Sequence, residues 1–134
     1  MLTSFDAILR CERRLQQLHE ASKQATIDRR EGWQRELVRV RRELSVAIGE
    51  LTTAMQEWSP PESAQADFTA FRSHISALRS TLALHQASFP ASSVIVDERA
   101  YFESTNLIRD RFRELAQKRD ALQRVVSQSR SNGV

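Results

Sequence analysis

Residues 33–62 read WQRELVRVRRELSVAIGELTTAMQEWSPPE and carry the clearest structural signal in the chain. Their apolar members recur every three or four positions, which is the period of an α-helix with one buried face. Pro60 and Pro61 lack backbone N–H donors and restrict the residue before them, so this helix must end by Ser59. The stripe consists of Trp33, Leu37, Val40, Leu44, Ala47, Leu51, Ala54 and Trp58.

Three further apolar stripes with the same period lie outside this stretch, and each predicts a helix. The preceding stripe consists of Ile8, Cys11, Leu15, Leu18, Ser22 and Ala25. It loses its apolar members between Thr26 and Trp33, where Gly32 costs a helix about 1 kcal/mol relative to alanine. We therefore expect the chain to turn or kink there. Because no proline enforces the break, one continuous helix over the first 58 residues is the alternative. Further along, Pro90 ends the third helix and Asp97 is placed to cap the fourth.

The composition favours an all-α fold. Only three glycines and three prolines occur in 134 residues, too few for the turns of a β-sandwich or for a glycine-rich phosphate loop. Four segments of similar length predict an antiparallel up-down four-helix bundle, and three helices with a long coiled-coil arm are the alternative. We expect residues 1–126 to form one domain and residues 127–134 to be a flexible polar tail. Val94-Ile95-Val96 is expected to be extended or to plug the end of the bundle.

Charge and cysteine content argue against several classes of function. Twenty basic residues oppose 17 acidic ones, and no segment is basic without compensating acids. Cys11 is the only cysteine, which excludes an internal disulfide and a cysteine-rich zinc site. No window reaches the roughly 18 apolar residues of a membrane span, and the first residues lack the pattern of a secretory signal. We expect a cytoplasmic, bacterial protein. Nucleic-acid binding is a weak alternative, carried by a helix edge with Arg35, Arg39, Arg41 and Arg42.

Charged residues also indicate which helices are neighbours. Four glutamates follow one another at seven-residue intervals in the second helix, and basic residues occupy corresponding flanking positions in the fourth. Opposite charges at such positions select the partner of a coiled-coil helix, so we expect these groups to pair, with a merely solvated glutamate face as the alternative. The residues are Glu36, Glu43, Glu50 and Glu57, with Arg109, Arg111 and Lys118 opposite them.

The histidines offer one chemical alternative. No glutamate lies three residues before any of them, so the Glu-x-x-His pattern of a di-metal bundle is absent, and we expect neither a metal nor another cofactor. Residues 85–90 read HQASFP, which resembles the His-Glu-x-x-x-Pro acceptor box of histidine kinases with Gln86 in place of the acid. This six-residue resemblance implies phosphoryl transfer through His85. His74 occupies a more exposed helix position and is the second candidate acceptor.

Large apolar residues off the stripes point to a binding function. They exceed what a bundle core of this size needs, and surplus apolar surface is typical of self-association or of docking a partner helix. We expect a non-enzymatic interaction module, such as an adaptor, a secretion-type chaperone or an oligomeric scaffold, with a homodimer favoured. The expected partner-binding residues are Leu84, Leu107, Val38 and Val46.

Overall fold

The computed structural model describes residues 4–132. This part of the chain contains four α-helices and no strand: α1 (Ser4–Asp28), α2 (Trp33–Gln56), α3 (Gln65–Ser88) and α4 (Glu98–Asn132). A single 3-10 turn, Glu62–Ala64, leads into α3. The predicted all-α fold with four helices is confirmed.

The helices divide into two compact units, each built on one helical hairpin. The first unit combines α1, α2 and the loop Phe89–Val96, and the second combines α3 and α4 with the residues from Ser59 that precede α3. That residues 1–126 form one domain stays a prediction.

The first unit is an antiparallel hairpin, because residues near its two ends pair in reverse order. The rings of Phe5 and Trp58 lie 4.9 Å apart, and Arg14 Nη2 lies 3.2 Å from Glu43 Oε2. The buried stripe predicted for α2 is confirmed except at its two tryptophans, which are half-buried, and it is broadened by Ile48 and Met55. The buried residues of this unit are Phe5, Ile8, Glu12, Leu15, Leu18, Leu37, Val40, Leu44, Ala47, Ile48, Leu51, Ala54 and Met55.

The break between α1 and α2 lies where the sequence predicts it. Arg29 and Gly32 both have positive φ, at 45° and 82°, and a right-handed helix cannot pass through two such residues. The Arg29 N–H closes the end of α1 by donating to Ala25 O at 3.1 Å. Gly32 then serves as the N-cap of α2. One continuous helix over the first 58 residues is therefore wrong, and the three-helix alternative fails with it.

The buried face of α1 differs from the predicted stripe, of which Ser22 and Ala25 are only half-buried. Cys11 is only half-buried, whereas Glu12 is fully buried. Cys11 and Glu12 lie at equal angles on opposite sides of the row from Ile8 to Leu15, so the apolar period alone does not choose between them. Gln16 Nε2 donates to Glu12 Oε1 at 2.8 Å, which helps to satisfy the buried carboxyl.

The second unit is also an antiparallel hairpin. His85 of α3 bonds Ser104 of α4, and His74 faces Glu114. Asp97 caps α4 as predicted, because its Oδ1 accepts from the Ala100 N–H at 2.9 Å. The buried residues of this unit are Ala64, Phe68, Phe71, Ile75, Leu78, Leu82, His85, Tyr101, Ile108, Phe112, Leu115, Leu122 and Val126.

The structure bears on two expectations for the ends and loops of the helices. The segment predicted as a tail is helical through Asn132, because residues 127–132 contain no glycine or proline to end α4; residues 133 and 134 lie outside the described part, and the flexibility of the tail stays a prediction. Val94 and Val96 are 80% and 93% exposed, so the alternative in which they plug the end of a bundle is wrong. Among residues 4–132, no helix combines the length and the apolar character that crossing a bilayer requires.

Candidate interaction surfaces

Leu84 and Leu107 lie exposed along the seam between α3 and α4, with 68% and 43% of their surface accessible. Leu107 lies three residues after Ser104 and four before Arg111, and both of those side chains bond α3. Residues at these spacings share one side of a helix, so Leu107 lies on the edge of α4 that faces α3. Leu84 lies three residues after Thr81, whose Oγ1 accepts from Arg111 Nε at 3.4 Å, so Leu84 lies on the side of α3 next to that contact. The two leucines therefore flank the same seam at about the same level.

The outer face of α3 around Leu84 is unusually poor in charge. No carboxylate occurs from Phe68 to Val96, and Arg72 and Arg79 are the only Lys or Arg residues there. A solvated surface ordinarily mixes both charges, and short side chains let a second helix approach closely. The small exposed residues of this face are Thr69, Ser73, Ser76, Ser80, Ala83, Ala87 and Ser88.

The other two predicted partner-binding residues are on α2. Val38 is 41% exposed and Val46 57% exposed. Eight residues separate them, which places them about 12 Å apart along the helix and about 80° apart around it. They do not form one continuous patch with each other, and their role in partner binding stays a prediction.

Glu36 and Glu43 of α2 form ion pairs within the first unit. Glu43 Oε2 binds Arg14 of α1 at 3.2 Å, and its Oε1 binds Arg39 at 2.8 Å. Arg39 also holds both carboxylate oxygens of Glu36, which lowers the pKa of Glu36 and raises that of Arg39. Glu57 is the C-cap residue of α2. These contacts tie α1 to α2 and organise the α2 surface.

Pairing of these glutamates with the basic residues of α4 stays a prediction. Arg111 Nη1 binds Glu114 of its own helix at 3.3 Å, and its Nε reaches Thr81 Oγ1 at 3.4 Å. Arg109 is exposed and Lys118 is half-buried. Within the second unit, Arg111 thus joins α4 to α3.

The environment of His85 is that of a structural group. The side chain is buried, its Nδ1 lies 2.7 Å from Ser104 Oγ, and its ring lies 5.4 Å from that of Tyr101. Its position on the apolar stripe of α3 accounts for this burial. Phosphoryl transfer to His85 would require a ring nitrogen that a donor protein can reach. The burial of the side chain therefore favours a packing role for His85.

His74 is more accessible, with 28% of its side chain exposed. Its Nδ1 lies 2.9 Å from Ala70 O, a contact that makes Nδ1 the donor and leaves Nε2 as the nucleophilic nitrogen. Nε2 faces Glu114 Oε2 at 3.8 Å. A carboxylate at that distance attracts a protonated ring and repels a phosphoryl group. The geometry therefore favours a polar contact between α3 and α4 over phosphoryl transfer.

A further surface lies at the end of the first unit where α1 turns into α2. Ile27 is 65% exposed there. Gln34 Nε2 donates to Ser93 O at 3.3 Å, which brings the loop with Val94 and Val96 beside the start of α2. A depression of about 480 Å³ is lined by residues 29–35, and the guanidinium of Arg29 lies 5.6 Å from the Trp33 ring. We call this the tip surface; it comprises Ile27, Arg29, Arg30, Trp33, Arg35, Val94 and Val96.

Sequence reasoning missed the tip surface. The sequence suggests one helix edge with Arg35, Arg39, Arg41 and Arg42, but Arg39 forms ion pairs with two glutamates. The contact that assembles the surface joins residues 59 positions apart, and no local pattern indicates such a contact.

Titratable groups elsewhere offer little chemistry. Burial and the nearby Glu50 carboxylate raise the pKa of the Cys11 thiol, while Arg10 opposes them, so the thiol is held in its less nucleophilic form. Among residues 4–132, no group of three or more His, Cys, Asp and Glu side chains is arranged to hold a metal ion.

Comparisons with known proteins add no functional information. No family model, curated protein or solved structure matches the chain.

Proposed function

We propose that the protein is a non-enzymatic, cytoplasmic interaction module of a bacterial cell, acting as an adaptor, secretion-type chaperone or oligomeric scaffold. Its first partner is a second copy of the same chain, bound along the α3–α4 seam. One observation carries this proposal: Leu84 and Leu107 flank that seam with 68% and 43% of their surfaces exposed.

The surroundings of the two leucines support pairing with an identical face. Small uncharged residues let the α3 helices of two protomers approach closely, and the lack of acids from Phe68 to Val96 removes one source of unpaired buried charge. In a twofold symmetric dimer each leucine occurs twice in the interface. Replacing Leu84 by alanine then removes two apolar contacts from the interface. The free energy of dimerisation should weaken by about 3 kcal/mol, which corresponds to about a hundredfold rise in the dimer Kd.

Sedimentation tests the proposal. At tens of micromolar we expect a mass near twice that of one chain, falling to one chain in the double variant Leu84→Glu, Leu107→Glu. Phe102→Glu is the matched control, because Phe102 is 64% exposed but lies about 140° around α4 from Leu107. The control should remain dimeric. A concentration-independent monomer, or equal dissociation by the control, contradicts the homodimer.

Histidine phosphotransfer through His74 is the alternative from another class. It needs a phosphoryl group to displace the Glu114 carboxylate from Nε2, which lowers its support relative to the interaction module. Incubation with a phosphorylated response regulator separates the two: label on His74 favours the relay, and an unlabelled protein favours the module.

A further inference from the structure

The tip surface combines exposed aliphatic groups with cations. Ile27, Val94 and Val96 are 65%, 80% and 93% exposed. An isolated exposed aliphatic side chain is ordinary, but these three lie on the same unit, near the contact between Gln34 at the start of α2 and Ser93 in the loop Phe89–Val96.

The cations of the tip are only partly neutralised. Residues 27–35 hold three arginines and two carboxylates, a net charge of +1. Arg30 is 86% exposed at its side chain, and its contact with Asp28 is 4.0 Å long. Glu31 precedes α2, so the i,i+4 geometry of a helix does not bring its carboxylate beside Arg35.

We propose that the tip surface docks on an anionic lipid membrane. Ile27, Val94 and Val96 enter the boundary between headgroups and acyl chains, while Arg29, Arg30 and Arg35 bind lipid phosphates. Aliphatic burial and attraction to anionic headgroups together give peripheral binding without a spanning segment. Trp33 lies beside them and has the amphipathic ring favoured at that depth.

The exposed aliphatic residues favour a membrane over a nucleic acid. A nucleic acid backbone binds the arginines through its phosphates but has no apolar layer in which Val94 and Val96 could be buried. Stacking platforms for single-stranded nucleic acids use exposed aromatic rings, whereas Trp33 is half-buried beneath Arg29.

Vesicle co-sedimentation tests this binding. The full chain is mixed with vesicles of phosphatidylglycerol and phosphatidylcholine, or of phosphatidylcholine alone. We expect partition to the anionic vesicles that weakens as NaCl rises, since exposed charges are screened.

Two variants separate the components. Arg29→Gln with Arg30→Gln and Arg35→Gln should lower the partition coefficient about a hundredfold, at about fivefold per arginine. The matched control changes Arg10, Arg13 and Arg124, which are exposed arginines outside the tip, to Gln and should retain most of the binding. Val94→Ser with Val96→Ser keeps every charge and should also weaken binding.

Quenching by brominated acyl chains reports the orientation. Trp33 belongs to the tip, whereas Trp58 pairs with Phe5 at the other end of the hairpin. Quenching should persist in Trp58→Phe and disappear in Trp33→Phe. The proposal is overturned if vesicles are not bound, if both arginine triples lose binding equally, if Trp58 is the quenched ring, or if the tip arginines bind oligonucleotides but not vesicles.

Discussion

Two glycines on α2 and its preceding turn should respond in opposite directions to the same substitution. Gly32 has φ 82° and ψ 7°, and Gly49 lies in the exposed interior of α2. A Cβ built at either position meets nothing within 4 Å, so packing does not contribute and the backbone alone sets the outcome. Left-handed backbone costs an L-residue about 1–2 kcal/mol. In a helix interior, alanine is instead better than glycine by about 1 kcal/mol.

Gly32→Ala should therefore destabilise the protein by about 1–2 kcal/mol, and Gly49→Ala should stabilise it by about 1 kcal/mol. The two variants should differ by about 2–3 kcal/mol in free energy of unfolding, measured by urea titration with circular dichroism at a helical wavelength. Gly32→Asn is a useful third variant, because asparagine tolerates left-handed backbone and is a good N-cap; its loss should be smaller than that of alanine.

The sign of the Gly32→Ala effect is the decisive observation. If α1 and α2 were one rod through residue 32, alanine would stabilise both sites by similar amounts. Equal stabilisation would falsify the turn between the two helices and restore the long arm.

Two further predictions concern side chains of the first unit. Because the pKa of Cys11 is raised, its alkylation near neutral pH should be slower than that of glutathione. Glu50→Gln should accelerate the alkylation, whereas Glu57→Gln should not. Equal alkylation rates in the two variants would contradict the assignment of the shift to Glu50. Because the pKa of Cys11 is higher in the folded chain than in the unfolded chain, the free energy of unfolding should decrease as pH rises from the unfolded pKa through the folded pKa. Arg14 and Glu43 should show a coupling free energy of about 0.2–1 kcal/mol in a double-mutant cycle of urea midpoints, because the pair is exposed; zero coupling would mean that it does not tie α1 to α2.

Local signals accounted for most of the helical structure. Gly32, the Pro60-Pro61 pair and Pro90 each act on the backbone of adjacent residues, so the helix ends they indicate were predictable from neighbouring positions. The exposure of Leu84 and Leu107 was predictable for a similar reason, since an off-stripe residue on an amphipathic helix turns away from the buried side.

The features that the sequence did not reveal depend on distant or marginal choices. Either Cys11 or Glu12 can continue the apolar row of α1, and the structure buries Glu12. The polarity of the two side chains predicts the reverse, since cysteine is buried far more often than glutamate. The tip surface requires the loop carrying Ser93 to meet the start of α2. Helical periodicity describes one helix face at a time and contains no information about such a meeting.

The loop Phe89–Val96 has a consequence for synthesis of the chain on the ribosome. Both hairpins join helices that are adjacent in sequence, a low contact order that favours rapid folding. The loop, however, belongs to the first unit although it follows α3. At about 5–20 residues per second, it is made about 2–8 s after Trp58. During that interval the amide of Gln34 has no Ser93 carbonyl to bind, so the first unit finishes folding only after α3 has been translated and before α4 is complete.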